Sequence, residues 1–290
     1  MNGFLIVNKP AGMTSHDAVN AVRRMTGTRR VGHAGTLDPM ATGVLVLALG
    51  AATRLVQFID GSDKTYRATL RLGETTTTYD ADGDLVERRP VTVSPAEIEA
   101  ALAGFRGPIA QIPPMYSAVK VKGHKLYKLA RQGKEIERAA RPITIYRLDV
   151  LAWALPDVTI EVVCSAGTYI RSLAHDVGQV LGCGAHLTAL IRTAAGDFRL
   201  EDAYTLEALD ELAQAGRLAA ALLPPEAVLT ALPVIALTPE QEQAVRFGQT
   251  VMLDGAPAGT LAQARDAAGR LVAVMFPLEP GVWRPKIVLP

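Results

Sequence analysis

The chain has 290 residues, of which 49% are hydrophobic and 20% charged, and its 30 basic and 29 acidic side chains leave a formal net charge of +1. This composition excludes a disordered chain, and the length allows one large domain or two unequal ones. Two cysteines are too few for a disulfide framework, and no apolar run is long enough for a signal peptide or a membrane span. We therefore expect a cytoplasmic protein without a membrane partner.

Apolar periodicity and capping residues predict the elements of the first 215 residues. Continuous apolar runs predict buried strands at 4–7 and 43–50, and alternation predicts further strands at 64–72 and 158–164. Capping residues predict helices at 15–26, 95–104, 170–181 and 205–215. Because strands and helices intermix without a regular β-α-β rhythm, we predict an α+β fold with a mixed, mainly antiparallel sheet and flanking helices.

The composition and the spacing of apolar runs change after Leu223-Pro224-Pro225. Short strand-like runs at 259–264, 271–276 and 283–288 alternate there with glycine, proline and aspartate. Such spacing predicts a small β-rich C-terminal module.

Residues 31–39, Val-Gly-His-Ala-Gly-Thr-Leu-Asp-Pro, carry a carboxylate between a glycine-rich turn and a proline. The two glycines allow backbone angles closed to other residues, and Pro39 biases Asp38 away from the helical region. We therefore predict a tight, irregular loop that presents His33 and Asp38 at a cleft. The alternative is an ordinary turn, since Asp-Pro pairs are common in loops.

A second candidate segment, residues 165–171, lies where a predicted strand is followed by a helix. Arg171 is a natural partner for Asp38 and would keep that carboxylate ionised and oriented through charge-assisted hydrogen bonds. Tyr169 offers a flat ring to a base or a phenol that handles a proton, and Tyr66 faces inward from its alternating strand. The alternatives are a surface ion pair for Arg171 and core packing for both tyrosines.

Positive charge is concentrated in the segment that follows Pro113. Nine cations face only two acids there, and they are Lys120, Lys122, Lys125, Lys128, Arg131, Lys134, Arg138, Arg141 and Arg147. Interleaved tyrosines, namely Tyr116, Tyr127 and Tyr146, suit contact with RNA phosphates, sugars and bases. The alternative is an ordinary insertion with a solvated basic helix.

Motifs for metals, nucleotides and nucleophilic serine are weak. Cys183-Gly-Ala-His186 has ligand spacing but no second pair, and a closed zinc site needs four ligands. No Gly-x-Gly-x-x-Gly follows a strand, and neither Gly-Lys-Ser/Thr nor Gly-x-Ser-x-Gly occurs. We therefore expect no metal and no cofactor.

Six segments, in this order, resemble the bacterial tRNA pseudouridine-55 synthase family of the TruB type. They span nearly the whole chain and are Asn8-Lys9-Pro10-x-Gly12-x-Thr14-Ser15, Gly32-His33-x-Gly35-Thr36-Leu37-Asp38-Pro39, Asp63-Lys64-x-Tyr66, Pro113-Pro114-x-Tyr116-Ser117-Ala118, Cys164-Ser165-x-Gly167-Thr168-Tyr169-Ile170-Arg171 and Leu181-Gly182-Cys183-Gly184-Ala185-His186-Leu187. The resemblance implies an enzyme that isomerises one uridine, position 55 of the tRNA T-loop, after flipping out its base. Its implied partner is the T-arm stem-loop of tRNA, with no obligate protein partner evident.

The same resemblance implies how the chain is divided. A pseudouridine-synthase catalytic domain would cover 1–228 and contain an RNA-gripping insertion at about 106–147. A PUA-like RNA-binding domain would cover 229–290.

The resemblance also implies roles for single residues. Asp38 resembles the catalytic aspartate, Tyr66 the ring that stacks on the target uracil, and Arg171 the partner of Asp38. His33 resembles the side chain that fills the place of the flipped base. The other substrate-binding candidates are Tyr169, Leu190, Lys9 and Arg192. One departure is Ile191, where many relatives carry arginine.

Pseudouridine formation breaks the bond from N1 to C1′ of the ribose and rejoins the base through C5, with no redox change. The carboxylate would act either by covalent attack on C1′ or by removing a C2′ proton. Two other classes stay open. A non-catalytic RNA-binding protein would not need Asp38 and Arg171 together, and a carboxylate hydrolase would need a second well-placed acid that is missing here.

Overall fold

The computed structural model describes residues 1–121, 123–253 and 259–290. Its strands are β1 Gly3–Lys9, β2 Val31–Ala34, β3 Thr42–Leu49, β4 Lys64–Leu72, β5 Glu74–Thr76, β6 Leu85–Arg88, β7 Gly107–Gln111, β8 Lys120–Val121, β9 His124–Lys125, β10 Arg141–Ala154, β11 Asp157–Cys164, β12 Ala185–Ala195, β13 Phe198–Arg199, β14 Val234–Ala236, β15 Val251–Met252, β16 Ala262–Arg265, β17 Leu271–Glu279 and β18 Val282–Val288. Its α-helices are α1 Ser15–Thr26, α2 Gln57–Asp60, α3 Pro95–Ala103, α4 Leu126–Ala130, α5 Ile170–Val180, α6 Leu206–Gln214 and α7 Pro239–Arg246. Every strand and helix predicted from the sequence is present, within a few residues of its expected bounds.

A nine-stranded sheet forms the body of the protein, in the order β1-β3-β12-β4-β11-β10-β7, with β2 paired to β3 and β13 to β12. All pairs are antiparallel except β3 with β12. The mixed, mainly antiparallel sheet of the predicted α+β fold is therefore confirmed. At the parallel pair, Gly43 has φ 99°, and a Cβ there would lie 2.2 Å from the carbonyl oxygen of Arg192, so the close approach requires glycine.

Layers on both faces of the sheet explain why β3 is apolar throughout. Leu5 and Leu45 belong to a core shared with α1, α5 and α6. Phe4 and Val44, which point to the opposite face, belong to a second core that also includes Val274 of the C-terminal sheet. A strand covered on both sides loses the polar alternation of a half-exposed strand, as the sequence indicates for this segment.

Local capping chemistry fixes two of the helices. The Thr14 side chain accepts from the backbone amide of Asp17, and the Asp17 carboxylate accepts from the backbone amide of Thr14. Gly27 ends α1 with φ 63°. Ser94 and Glu97 form the same capping box at α3. These ends were predicted because such pairs satisfy amides that the helix itself leaves unbonded.

The segment predicted as an RNA-gripping insertion is partly sheet. β7 pairs with the first part of β10, from Gly107↔Ile145 to Gln111↔Arg141. Residues 107–111 and 141–145 thus belong to the large sheet, and residues 112–121 and 123–140 connect them outside it. The predicted basic residue Lys122 lies outside the described residues.

The C-terminal module is a separate five-stranded sheet in the order β14-β16-β17-β18-β15. Its own core contains Val245, Ala264 and Trp283, so the prediction of a small β-rich module is confirmed. Gln263 donates to the carbonyl oxygens of Leu229 and Leu232, which ties this sheet to the chain that precedes it. No helix of the described part of the chain is both long and apolar enough to cross a membrane.

Candidate active site

Asp38 and Arg171 are brought together from opposite parts of the chain. Asp38 follows β2 in a loop, and Arg171 lies in the first turn of α5. Nη2 of Arg171 donates to Oδ1 of Asp38 at 3.0 Å. Its Nε lies 3.0 Å from Oδ2 without the alignment of a hydrogen bond. The Asp38 side chain remains 33% exposed, so one face of the carboxylate is open while the arginine behind it is buried.

Ser15, at the start of α1, holds the loop that carries Asp38. Its hydroxyl accepts from the amide of Leu37 at 2.8 Å and donates to the carbonyl of the same residue at 3.1 Å. The first half of the loop differs from the prediction: His33 lies on β2 and pairs with Leu47, because this segment continues the sheet edge. The irregular part is therefore limited to the residues around Asp38.

Arg171 has further partners that the sequence did not indicate. Nη2 donates to the carbonyl of Tyr116 at 2.8 Å, and Nη1 donates to the carbonyl of Thr78 at 3.2 Å. Nη1 also lies 3.4 Å from Oδ2 of Asp80, whose side chain is 5% exposed. One buried guanidinium thus faces two carboxylates, and only that of Asp38 is open to solvent.

Asp80 is the acid that the sequence analysis missed. Burial raises the pKa of its carboxyl group, while the Thr78 hydroxyl and Arg171 act in the opposite direction. Thr78 donates to Oδ1 of Asp80, and the amide of Asp82 donates to the same oxygen at 3.1 Å. The segment Tyr79-Asp80-Ala81-Asp82-Gly83 has the composition of a turn, and nothing in the pattern indicates that its first acid is buried.

Tyr66 and Arg192 lie side by side in the middle of the sheet. They are direct partners in the β4–β12 register. Tyr66 is buried, which raises the pKa of its phenol, and the charge of Arg192 opposes that shift. Arg192 is 1% exposed, and it donates to the carbonyls of Val44 and Gly35 at 2.6 and 3.1 Å.

Tyr169 lies near the carboxylate, and Leu190 is part of the core beside β4. Tyr169 is the N-cap of α5, and its backbone amide and carbonyl exchange two hydrogen bonds with the Gln111 side chain, at 2.8 and 3.0 Å. Burial, and to a smaller extent the charge of Asp38, raise the pKa of its phenol. Leu190 is buried on β12 and pairs with Ala68.

Lys9 is a buried cation beneath the same loop. Its Nζ donates to the carbonyls of Pro10 and Met13 at 2.7 Å each, and to that of Pro39 at 3.3 Å. Desolvation lowers the pKa of Lys9 to about 8, against the attraction of Asp38. Lys9 and Arg192 therefore bond the backbone of the loop from within the protein, and neither side chain is exposed to solvent.

His33 is the predicted residue that stands apart. Burial lowers the pKa of its imidazole, and the charged groups that act on it are Asp60, Arg192 and His16. Nδ1 is buried without a hydrogen-bond partner. Asp38, Arg171, Tyr66 and Tyr169 thus form one cluster, with His33 on the adjoining strand.

The cluster can hold a charged carboxylate beside two neutral phenols. Arg171 orients the Asp38 carboxylate through its hydrogen bond to Oδ1, and the raised phenol pKa values keep both tyrosines protonated near neutral pH. In residues 1–121, 123–253 and 259–290, no group of three or more histidine, cysteine, aspartate or glutamate side chains is arranged to hold a metal ion.

Two family models match the chain. Residues 23–170 match the TruB family pseudouridylate synthase N-terminal domain, and residues 171–230 match the tRNA pseudouridylate synthase B C-terminal domain. The second match covers α5, β12 and α6, which belong to the large sheet and its helices, and it ends before the five-stranded sheet begins.

Curated relatives match over nearly the whole chain. A protein of Mycobacterium sp. (strain KMS) named tRNA pseudouridine synthase B is 48% identical over 292 residues, covering 99% of this chain and 95% of the relative. A protein of the same name from Pseudomonas aeruginosa (strain UCBPP-PA14) is 45% identical over 277 residues, covering 94% and 91%.

Solved structures share the fold. A chain from a Cbf5-Nop10-Gar1 complex is 30% identical and superposes with a TM-score of 0.72, covering 96% of this chain and 79% of its own length. A chain from an H/ACA RNP bound to a substrate RNA containing 2′-deoxyuridine is 27% identical, with a TM-score of 0.73 and coverage of 99% and 85%.

Proposed function

This chain belongs to the TruB family of pseudouridylate synthases, and we propose that it isomerises the uridine at position 55 in the T-loop of tRNA. Its relatives are isomerases that act on tRNA, and the chain is an enzyme of that type. The proposal of uridine isomerisation rests on the pair of Asp38 and Arg171. The Asp38 carboxylate is partly exposed to solvent, and the guanidinium that donates to it is buried.

We propose that Asp38 acts at the ribose of the target nucleotide. The bond from N1 to C1′ breaks, the base turns, a bond from C5 to C1′ forms, and C5 loses a proton while N1 gains one. No electrons are exchanged with another molecule. A carboxylate serves either route, attack on C1′ or removal of a C2′ proton, and the hydrogen bond from Arg171 orients it.

The flipped uracil would lie between Tyr66, Tyr169 and Leu190. Tyr66 would stack on the base, and its neutral phenol lies near enough to feel the charge of Asp38. His33, on the neighbouring strand β2, would fill the space that the base leaves in the RNA loop, which recovers part of the unstacking cost of a few kcal/mol.

Lys9 and Arg192 are proposed as positioning residues beneath the substrate. Both are buried, and both bond backbone carbonyls of the segment that carries Asp38. Recognition of the folded T-arm would come mainly from shape and phosphate contacts, supplied by the basic segment 112–140. The five-stranded C-terminal sheet is proposed as a PUA-like RNA-binding domain.

The test is Asp38→Asn, which keeps the shape of the side chain and removes its charge. Wild-type protein should form pseudouridine at position 55 of tRNA and in a T-arm stem-loop, detected by selective chemical labelling of pseudouridine. Asp38→Asn should keep tRNA affinity within a few-fold and lose turnover by at least about 10³-fold. Asp202→Asn, an exposed acid outside the cluster, is the matched control and should retain full activity.

Three results would contradict parts of the proposal. Turnover by Asp38→Asn would remove that residue from the chemistry. Modification at another uridine would correct the target. A wild-type protein that binds tRNA without forming pseudouridine would be an RNA-binding protein.

A further inference from the structure

The turn between β5 and β6 is organised around the buried carboxylate of Asp80. We call residues 77–84 the Asp80 turn. Its backbone closes through a bond from the amide of Thr77 to the carbonyl of Asp84, at 3.0 Å. Gly83 packs against Thr78 so closely that a Cβ at this glycine would lie 2.3 Å from the Thr78 hydroxyl. The turn therefore presents Thr78 and Asp80 to Arg171 as one unit.

Tyr79, between those two residues, has a strained backbone. Its φ is 65°, and it is the single non-glycine residue with positive φ among residues 1–121, 123–253 and 259–290. A bulky side chain avoids this conformation unless the surroundings hold it there. The amide of Leu187 on β12 donates to the Tyr79 carbonyl at 3.0 Å, which anchors the residue on one side.

On the other side, the Tyr79 ring stacks on His175. The ring centroids are 3.9 Å apart and the planes differ by 15°. His175 lies four residues after Arg171, so the two side chains share one face of α5. The Asp80 turn therefore meets α5 at two consecutive helical turns, once through Arg171 and once through this stack.

His175 has a charged neighbour, Arg138, in the segment that connects β7 to β10. Burial lowers the pKa of its imidazole, and the charge of Arg138 lowers it further. Arg138 is itself largely buried and donates to the carbonyl of Pro113. The lowered pKa favours the neutral imidazole near pH 7, which suits a face-to-face contact with a phenol ring.

We propose that Tyr79 and His175 are positioning residues for pseudouridine formation, acting through Asp80 and Arg171 on Asp38. This inference rests on the proposed catalytic role of Asp38. Neither ring touches the substrate. Their contact fixes the position of the Asp80 turn along α5. The position of this turn fixes the Thr78 carbonyl and the Asp80 carboxylate, which face Nη1 of Arg171. Without the stack, the strained backbone at Tyr79 relaxes and the guanidinium loses its fixed orientation toward the catalytic carboxylate.

The experiment measures single-turnover pseudouridine formation at saturating tRNA, together with tRNA affinity, for variants of the full chain. His175→Ala and Tyr79→Ala should each lower the rate by about three- to ten-fold and change affinity by less than about two-fold. His175→Phe and Tyr79→Phe keep two flat rings in contact and should stay within two-fold of the wild type. Gln179→Ala, an exposed substitution on the same helix, is the matched control.

Two combinations separate positioning from general support of the fold. The double variant Tyr79→Ala with His175→Ala should be no slower than either single variant, because the contact is lost once. In an Asp80→Asn background, His175→Ala should have a smaller effect than in the wild type, because one of the two contacts of the turn with Nη1 of Arg171 has already lost its charge. Melting temperatures and circular dichroism establish that each variant is folded before its rate is compared.

Three outcomes would overturn the inference. The first is an unchanged rate for His175→Ala in folded protein. The second is a loss in His175→Phe equal to that in His175→Ala, since a stacking role predicts rescue by the second ring. The third is full additivity with Asp80→Asn. Failure of the wild type to modify tRNA would instead remove the proposed function on which the inference rests.

Discussion

The two sides of the candidate site bury cations in different ways. On the α5 side, Arg171 faces two carboxylates, those of Asp38 and Asp80. On the side of β1 and β12, Lys9 and Arg192 donate to backbone carbonyls. Both arrangements satisfy buried donors, but only the first pairs opposite charges.

The difference separates an electrostatic task from a structural one. A guanidinium between two acids orients both and supplies their counter-charge, so its removal changes the net charge of the site. A cation bonded to carbonyls holds backbone in place, and its removal leaves buried acceptors unsatisfied at a cost of about 1–3 kcal/mol each. We therefore expect substitutions on the first side to affect catalysis, and those on the second side to affect mainly stability.

The largest expected effect is that of Arg171→Met. The substitution keeps much of the side-chain length but leaves Asp38 without its counter-ion and Asp80 buried without a cation. We expect the single-turnover rate at saturating tRNA to fall by at least about 10³-fold, with affinity changed by only a few-fold. Arg171→Lys keeps the charge but loses the planar guanidinium that donates to Asp38 and to two carbonyls, so its rate should lie between those of the wild type and Arg171→Met. A rate for Arg171→Met within ten-fold of the wild type would contradict the electrostatic role assigned to Arg171.

Arg192→Met should show the opposite pattern. Loss of the donors to Val44 and Gly35 should lower the free energy of unfolding by about 2–4 kcal/mol. The rate per folded molecule should fall less than in Arg171→Met, because no carboxylate loses its partner. Denaturant unfolding and a single-turnover assay on the same preparation measure the two quantities. A large loss of rate with unchanged stability would assign Arg192 to the chemistry.

The two sides also differ in how far the sequence predicts them. The pairing of Asp38 with Arg171 follows from residue types in segments with clear local signals, a glycine-rich loop and a strand-to-helix junction. Asp80 could not be predicted, because its burial depends on packing of its turn against α5 and β12, which are distant in the chain. Buried Lys9 and Arg192 were expected to contact substrate, since a sequence does not distinguish a cation bonded to carbonyls from one that meets phosphates.

The fold shows the same limit. Elements with their own caps or apolar periods, such as α1, α3, β3 and β4, were predicted nearly to the residue. The strand β10 was not predicted, because its basic first half resembles a solvated insertion. Its pairing with β7 and β11 depends on tertiary contacts that the local sequence does not specify. Tertiary context, not local propensity, decides such strands.

Asp80→Asn is expected to have an intermediate effect. The amide keeps an acceptor for the Thr78 hydroxyl and for the amide of Asp82 but removes a charge next to Arg171. We expect the single-turnover rate to fall about ten- to a hundred-fold, less than for Arg171→Met, because the pair of Arg171 with Asp38 remains. The exposed neighbour Asp82, mutated to Asn, serves as the control and should be near wild type. Equal rates for Asp80→Asn and wild type would show that one carboxylate is enough.

The last expected effect leaves the chemistry aside: the free energy of unfolding should depend on pH through Lys9. Desolvation lowers the pKa of Lys9 from 10.5 to about 8, so the folded protein releases this proton at lower pH than the unfolded chain. Below about pH 8 both states hold the proton, and stability does not change on this account. Between about 8 and 10.5 the unfolded state binds more protons, so the free energy of unfolding should rise with pH, by on the order of 2–3 kcal/mol.

Lys9→Met removes this titration and provides the reference for denaturant unfolding from pH 7 to 10.5. The difference in free energy between wild type and Lys9→Met should change in favour of the wild type as pH rises through that window. Because Asp38 raises the pKa of Lys9, combining each protein with Asp38→Asn should move the onset of the change to lower pH. An onset unaffected by Asp38→Asn would mean that the charge of Asp38 does not influence the pKa of Lys9. The two sides of the site would then be electrostatically independent.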